Sequence, residues 1–297
     1  MKRLLPLLLT AALGTAAAQD TSCTGRTVKH AMGTTCVPNS PKRVIVLDTG
    51  ELDSVLALGV KPVGAVTALG SGFPTYLKGR TDGVADVGTI QQPSLERILA
   101  LKPDLILSSK LRHGNLYAQL SRIAPTVMAE TVGVVWKDNL KLDARALGRE
   151  AQANKLLSTY YARLKKLQVR VDRKRTTISV LRFVPGQVRL MQRANFIGTI
   201  LDDAGLLRPA TQRKDTFSDV ISAEGLPAAD GSVLFYSTYG PADATDQRAF
   251  LSSPLWARLN AVRNKRAFAV NDDHWFLGIG ILAANRVLDD LEQYLGN

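Results

Sequence analysis

The sequence predicts an α/β protein: two α/β lobes with mainly parallel central sheets, joined by a single long helix. Three observations carry this. Short apolar runs alternate with stretches of helical spacing along nearly the whole chain. One stretch, 141–174, keeps helical spacing with no Gly or Pro after Gly148. The 297 residues suffice for two domains of ordinary size. The expected organisation is a signal peptide over 1–18, an N-terminal lobe over 19–140, a bridging helix over 141–174 and a C-terminal lobe over 175–297.

The elements follow in order. Met1-Lys2-Arg3, an apolar run from Leu4 to Gly14 and Ala16-Ala17-Ala18 have the three parts of a secretory signal peptide. Residues 27–38 alternate and turn at Met32-Gly33, which predicts an edge hairpin. Val44 to Leu47, Val63 to Val66, Leu105 to Leu107 and Thr126 to Met128 are short apolar runs expected as buried parallel strands. Asp86-Val87-Gly88 is a further short element, and helices are expected over 52–58, 93–101 and 116–123. In 141–174, Leu157, Tyr160, Tyr161, Leu164, Leu167 and Val171 keep helical spacing, with Arg and Lys on the other face. A helix of about 30 residues would reach roughly 45 Å, which suits a strut between lobes. Strands are then expected over 177–183, 187–191, 233–236 and 267–270, with helices over 196–204, 254–259 and 281–295.

Composition narrows the function. No apolar run reaches the ~18–20 residues that cross a bilayer. Three His and two Cys argue against a built-in zinc, haem or iron–sulfur site, so no cofactor and no metal ligand is assigned. The net charge of +12 asks for an acidic partner. No basic tail, aromatic-interleaved stripe or helix-turn-helix pattern suggests nucleic acid. In an exported chain, Cys23 and Cys36 are expected to form a disulfide that pins the first segment, worth about 3 kcal/mol. The alternative, a lipid anchor on Cys23, is disfavoured by Asp20 just upstream. Dinucleotide, phosphate-loop and serine-elbow motifs are absent, and nothing demands an enzyme.

Several stretches, in order and spacing, carry a resemblance. They are Pro41 to Leu47, Leu56 to Gly64, Asp86-Val87-Gly88, Pro93 to Ile106, Ser121 to Val127, Trp136 to Leu140, and Pro254 to Val262. Together they resemble the periplasmic iron–siderophore binding proteins of ABC importers. The resemblance implies a monomer whose ligand cleft lies between the lobes, holding a ferric siderophore and delivering it to a membrane permease. Glu96 and Glu224, one in each lobe, match the glutamates by which that family docks onto permease arginines. The helix dipole alone would also favour a carboxylate in a first turn.

In such folds the cleft is lined by loops at the carboxyl ends of strands. That rule selects Lys110 and Arg112, Trp136, Arg182, Arg189 and Arg193, Tyr239, and Trp275 with Phe276. Arg would donate to the oxygens of a chelate whose iron is already wrapped, and the aromatics would supply flat walls. Each position also has a plain structural alternative, such as core packing for Trp136 and Trp275. Ser108 to His113 resembles the citrate-type branch of the family. The competing readings are the same fold holding cobalamin or haem, with Tyr239 or His274 as axial candidates for haem, and a secreted α/β hydrolase acting on siderophores.

Overall fold

A computed structural model describes residues 23–68 and 72–296; the expected signal peptide lies outside them. The described chain opens with an antiparallel hairpin, β1 (Arg26–His30) and β2 (Gly33–Val37). Cys23 and Cys36 are disulfide-bonded across it. The hairpin lies on the first lobe, where Ala31 N donates to the Met128 carbonyl and the Thr35 hydroxyl to that of Thr126.

The first lobe is built on five parallel strands: β3 (Val44–Val46), β4 (Gly64–Thr67), β5 (Ala85–Thr89), β6 (Leu105–Ser109) and β7 (Thr126–Ala129), in the order β5-β4-β3-β6-β7. β3, β4, β6 and β7 are buried throughout, as expected of parallel strands covered on both faces. The helices are α1 (Thr49–Ala57), α2 (Leu95–Ala100), α3 (Lys110–His113), α4 (Tyr117–Ile123) and α5 (Trp136–Leu147).

The bridging helix is shorter than 141–174. Gly148 sits at φ +66°, a left-handed conformation that ends α5. The strut is α6 (Glu150–Arg170), 21 residues or roughly 32 Å long. Its buried stripe is Ala153, Leu157, Tyr160, Leu164 and Leu167.

The second sheet runs β8 (Ile178–Val184), β9 (Gln187–Met191), β10 (Ser218–Ile221), β11 (Val233–Thr238) and β12 (Ala267–Ala269), in the order β10-β9-β8-β11-β12. β8, β11 and β12 are parallel; β9 and β10 are antiparallel additions at one edge. The sequence reading did not anticipate β10, an edge strand whose Val220 is exposed. Helices α7 (Phe196–Asp203), α8 (Gln247–Leu251), α9 (Pro254–Arg258), α10 (Asn260–Arg263) and α11 (Ile281–Leu295) complete this half.

One apolar cluster runs through both lobes. It joins Val44 and Leu107 of the first sheet, Trp136 and Leu140 of α5, Tyr160 and Leu164 of α6, Val180 and Phe235 of the second sheet, and Val287 of α11. The opposite face of each sheet has its own smaller cluster, around Ile45 and Ile106 in one lobe and Phe183 and Leu234 in the other. The two halves are therefore packed together along α5, α6 and α11. Among the described residues, no helix is long and apolar enough to cross a membrane.

Candidate functional site

A groove of about 750 Å³ draws its walls from both lobes, a volume suited to a compact small molecule. The first lobe contributes Thr49, Leu111 and Arg112. The second contributes Arg182, Arg189, Asn195, Phe217, Tyr239 and Phe276. Among the described residues, no Asp or Glu lines it.

Strand ends position the cations. Arg112 follows β6 on α3, and its Nε donates to Asp48 Oδ2 at 2.8 Å. Asp48 precedes α1 and is fully buried on its side chain. Arg182 lies on β8 and forms a two-pronged pair with Asp272: Nε to Oδ1 at 2.8 Å and Nη2 to Oδ2 at 2.6 Å. Its guanidinium carbon lies 4.6 Å from the Tyr239 ring centroid and 4.8 Å from that of Phe276. Arg189 stands opposite Arg182 in the β8–β9 register. Its Nε donates to Gln187 Oε1, and among the described residues it forms no ion pair with a carboxylate. Desolvation, then the Arg182 charge, pushes the Arg189 guanidinium below its ordinary range. Like charges facing one another across a ladder are unfavourable. The groove thus holds three guanidiniums, two neutralised from behind by buried carboxylates and one not. An anion placed between them would relieve that excess.

Arg112, Arg182, Arg189, Tyr239 and Phe276 are thus brought together. The other four expected ligand residues are not. Lys110 points to the exterior and pairs with Glu130 at 2.8 Å. Arg193 lies beyond β9, exposed, paired with Asp202 at 3.2 Å. Trp136 is core, 1% exposed: its indole Nε1 donates to Thr199 Oγ1 of α7, and its ring meets Tyr160 and Phe196 edge-on. Trp275 is fully buried against Phe235, with Nε1 donating to Asp290 Oδ2 at 2.7 Å. It sits in a single π-helical turn, 273–277, whose next residue, Phe276, turns to the groove. Both indoles fasten elements together, and truncating a core aromatic costs about 3–5 kcal/mol.

Glu96 is exposed in the first turn of α2, capped by Ser94. Glu224, also exposed, sits in a turn leading to a 3-10 segment, Leu226–Ala229, and opens no α-helix. The Ser222 hydroxyl holds its carboxyl below the ordinary range. His274 is bonded to Asp290 at 2.8 Å and does not line the groove, while the Tyr239 ring lies against the Arg182 guanidinium in the groove wall. His113 is buried between Ser108 and the Ile90 carbonyl, and burial lowers its pKa. The sequence reading missed Asp48, Asp272 and Phe217. Asp272 adjoins Asp273 in a pair that carries no motif, and Phe217 precedes an edge strand with no apolar alternation.

Comparison with known proteins agrees with this architecture. A family described as periplasmic binding protein matches residues 44–273, and the chain belongs to it. A Bacillus subtilis protein named "Probable siderophore-binding lipoprotein YfiY" is 41% identical over 283 residues, covering 91% of this chain and 87% of that protein. The achromobactin-binding periplasmic protein of Dickeya dadantii is 33% identical, covering 86% and 87%. The crystal structure of Staphylococcus aureus SirA complexed with staphyloferrin B superposes with a TM-score of 0.81 at 34% identity, covering 91% of this chain and 98% of that one.

Proposed function

We propose that this protein captures a ferric siderophore in the inter-lobe groove, outside the cytoplasmic membrane, and hands it to an ABC permease for iron uptake. The observation that carries the reading is the groove's charge: three guanidiniums and, among the described residues, no lining carboxylate and none paired with Arg189. Such a wall fits an anionic, citrate- or carboxylate-type chelate better than a neutral one. Relatives named for Fe(3+)-citrate and Fe(3+) dicitrate support that class.

The iron is cargo held by its chelator. The protein's own residues bind and orient: Arg112, Arg182 and Arg189 donate to ligand oxygens, while Tyr239, Phe276 and Phe217 supply apolar walls. No covalent step is assigned, and the protein acts as a monomer. Export through a cleaved signal peptide accounts for the disulfide. Glu96 and Glu224 serve as the permease contacts, one exposed carboxylate on each lobe.

Native mass spectrometry with a panel of ferric citrate, carboxylate, hydroxamate and catecholate chelates tests the capture. A one-to-one complex with an anionic chelate is expected; no complex with any member would overturn the proposal. Replacing Glu96 and Glu224 together by Ala should abolish iron uptake in cells while leaving that complex intact, and normal uptake would remove the docking role.

A further inference from the structure

We infer that Asp272 is a positioning residue of the ligand groove, holding the Arg182 guanidinium in an aromatic slot with its free edge toward the ligand. This rests on the function proposed above. The carboxylate takes the Nε and Nη2 edge of Arg182, and its Oδ1 also accepts the Ser237 hydroxyl at 2.8 Å. The two side chains are 8% and 9% exposed, so the pair is nearly dry. Tyr239 and Phe276 flank the guanidinium at 4.6 and 4.8 Å.

Asp272 does not line the groove. It lines an adjoining cavity of about 510 Å³ that shares the Tyr239 wall, whereas Arg182 lines the groove itself. The carboxylate therefore stands behind the arginine and acts through it. Nη1 takes no part in the fork and remains for a ligand oxygen. Without Asp272, the like charge of Arg189 across the β8–β9 ladder would drive Arg182 out of the slot.

Charge counting and positioning make opposite forecasts. Asp272→Asn leaves the groove more positive. If Asp272 acted only through net charge, the variant would bind an anion more tightly and with a steeper salt dependence. If it positions Arg182, the variant binds more weakly despite the added charge.

The test is calorimetric titration of the full mature chain with the tightest ferric carboxylate chelate from the panel, at low and high salt. Asp272→Asn should weaken binding by at least about tenfold, with Asp272→Glu retaining most of the affinity. Combining Asp272→Asn with Arg182→Ala should be no worse than Arg182→Ala alone, because both act on one contact. Asp272→Asn binding as tightly as the wild type, or more tightly, would overturn the inference. Should that variant fail to fold, Ser237→Ala loosens the same carboxylate and should weaken binding severalfold; unchanged affinity would again overturn it. Absence of wild-type binding would strike the functional proposal instead. A crystal structure of Asp272→Asn then decides separately: a guanidinium still seated between Tyr239 and Phe276 contradicts positioning.

Discussion

Arg182 and Arg189 face one another across β8 and β9, yet their surroundings give them different work. Arg182 is the partner of a buried carboxylate, so Arg182→Ala would strand Asp272 without its counter-charge. Breaking such a pair costs about 3–5 kcal/mol, and urea unfolding should show a loss of that order. Arg189 has no such partner, and Arg189→Ala should leave the urea midpoint nearly unchanged while weakening ligand binding. Equal midpoints for the two variants would contradict the distinction. The rule that ligands gather at strand carboxyl ends picked out Arg112, Arg182, Arg189 and Tyr239, which the structure places along the groove. It could not tell Trp275 from Phe276, because a π-helical turn decides which of two neighbours faces the core. Nor could it find Asp272, whose partner is 90 residues away in sequence.

At the scale of elements, the N-terminus of α11 is capped by a side chain from the other lobe. Asp53 of α1 accepts from Leu282 N at 2.8 Å and Ala283 N at 2.9 Å, and the Tyr76 hydroxyl donates to it at 2.8 Å. Gly280 allows the approach: a Cβ there would lie 2.4 Å from Asp53 Oδ1. Burial raises the Asp53 carboxyl to about 7 against these bonds. The folded state therefore holds more protons than the unfolded chain between about pH 4 and 7. Its contribution to stability is present at the acidic end of that window and is lost as pH rises through it. Buried Asp143, raised to about 8, and Glu51, raised by burial beside Asp48 and Asp143, act with the same sign. Chemical denaturation of Asp53→Asn at a series of pH values should give a fall shallower by up to about 1.4 kcal/mol per pH unit; an unchanged slope would reject the assignment. Most helix and strand cores were legible from apolar periodicity. The break between α5 and α6 was not, because Gly148 at a positive φ could not be distinguished from a glycine tolerated within a helix.

On the whole-molecule scale, both lobes share one apolar cluster through α5, α6 and α11, while the groove opens between the ends of β6 and β8. That arrangement resists wide hinging, and it presents a ready-made basic cleft to a ligand that arrives already folded around its iron. The two-lobe plan was legible because strand and helix alternate on either side of one long helical stretch. The antiparallel edge β9–β10 was only half legible, since β10 buries little apolar surface. The central claim is that unpaired positive charge in this cleft selects an anionic ferric chelate. Its most direct measurement is a calorimetric comparison of ferric citrate with a neutral ferric trihydroxamate at low and high salt. The anionic complex should bind more tightly and lose affinity as salt rises; equal affinities, or preference for the neutral complex, would contradict the account.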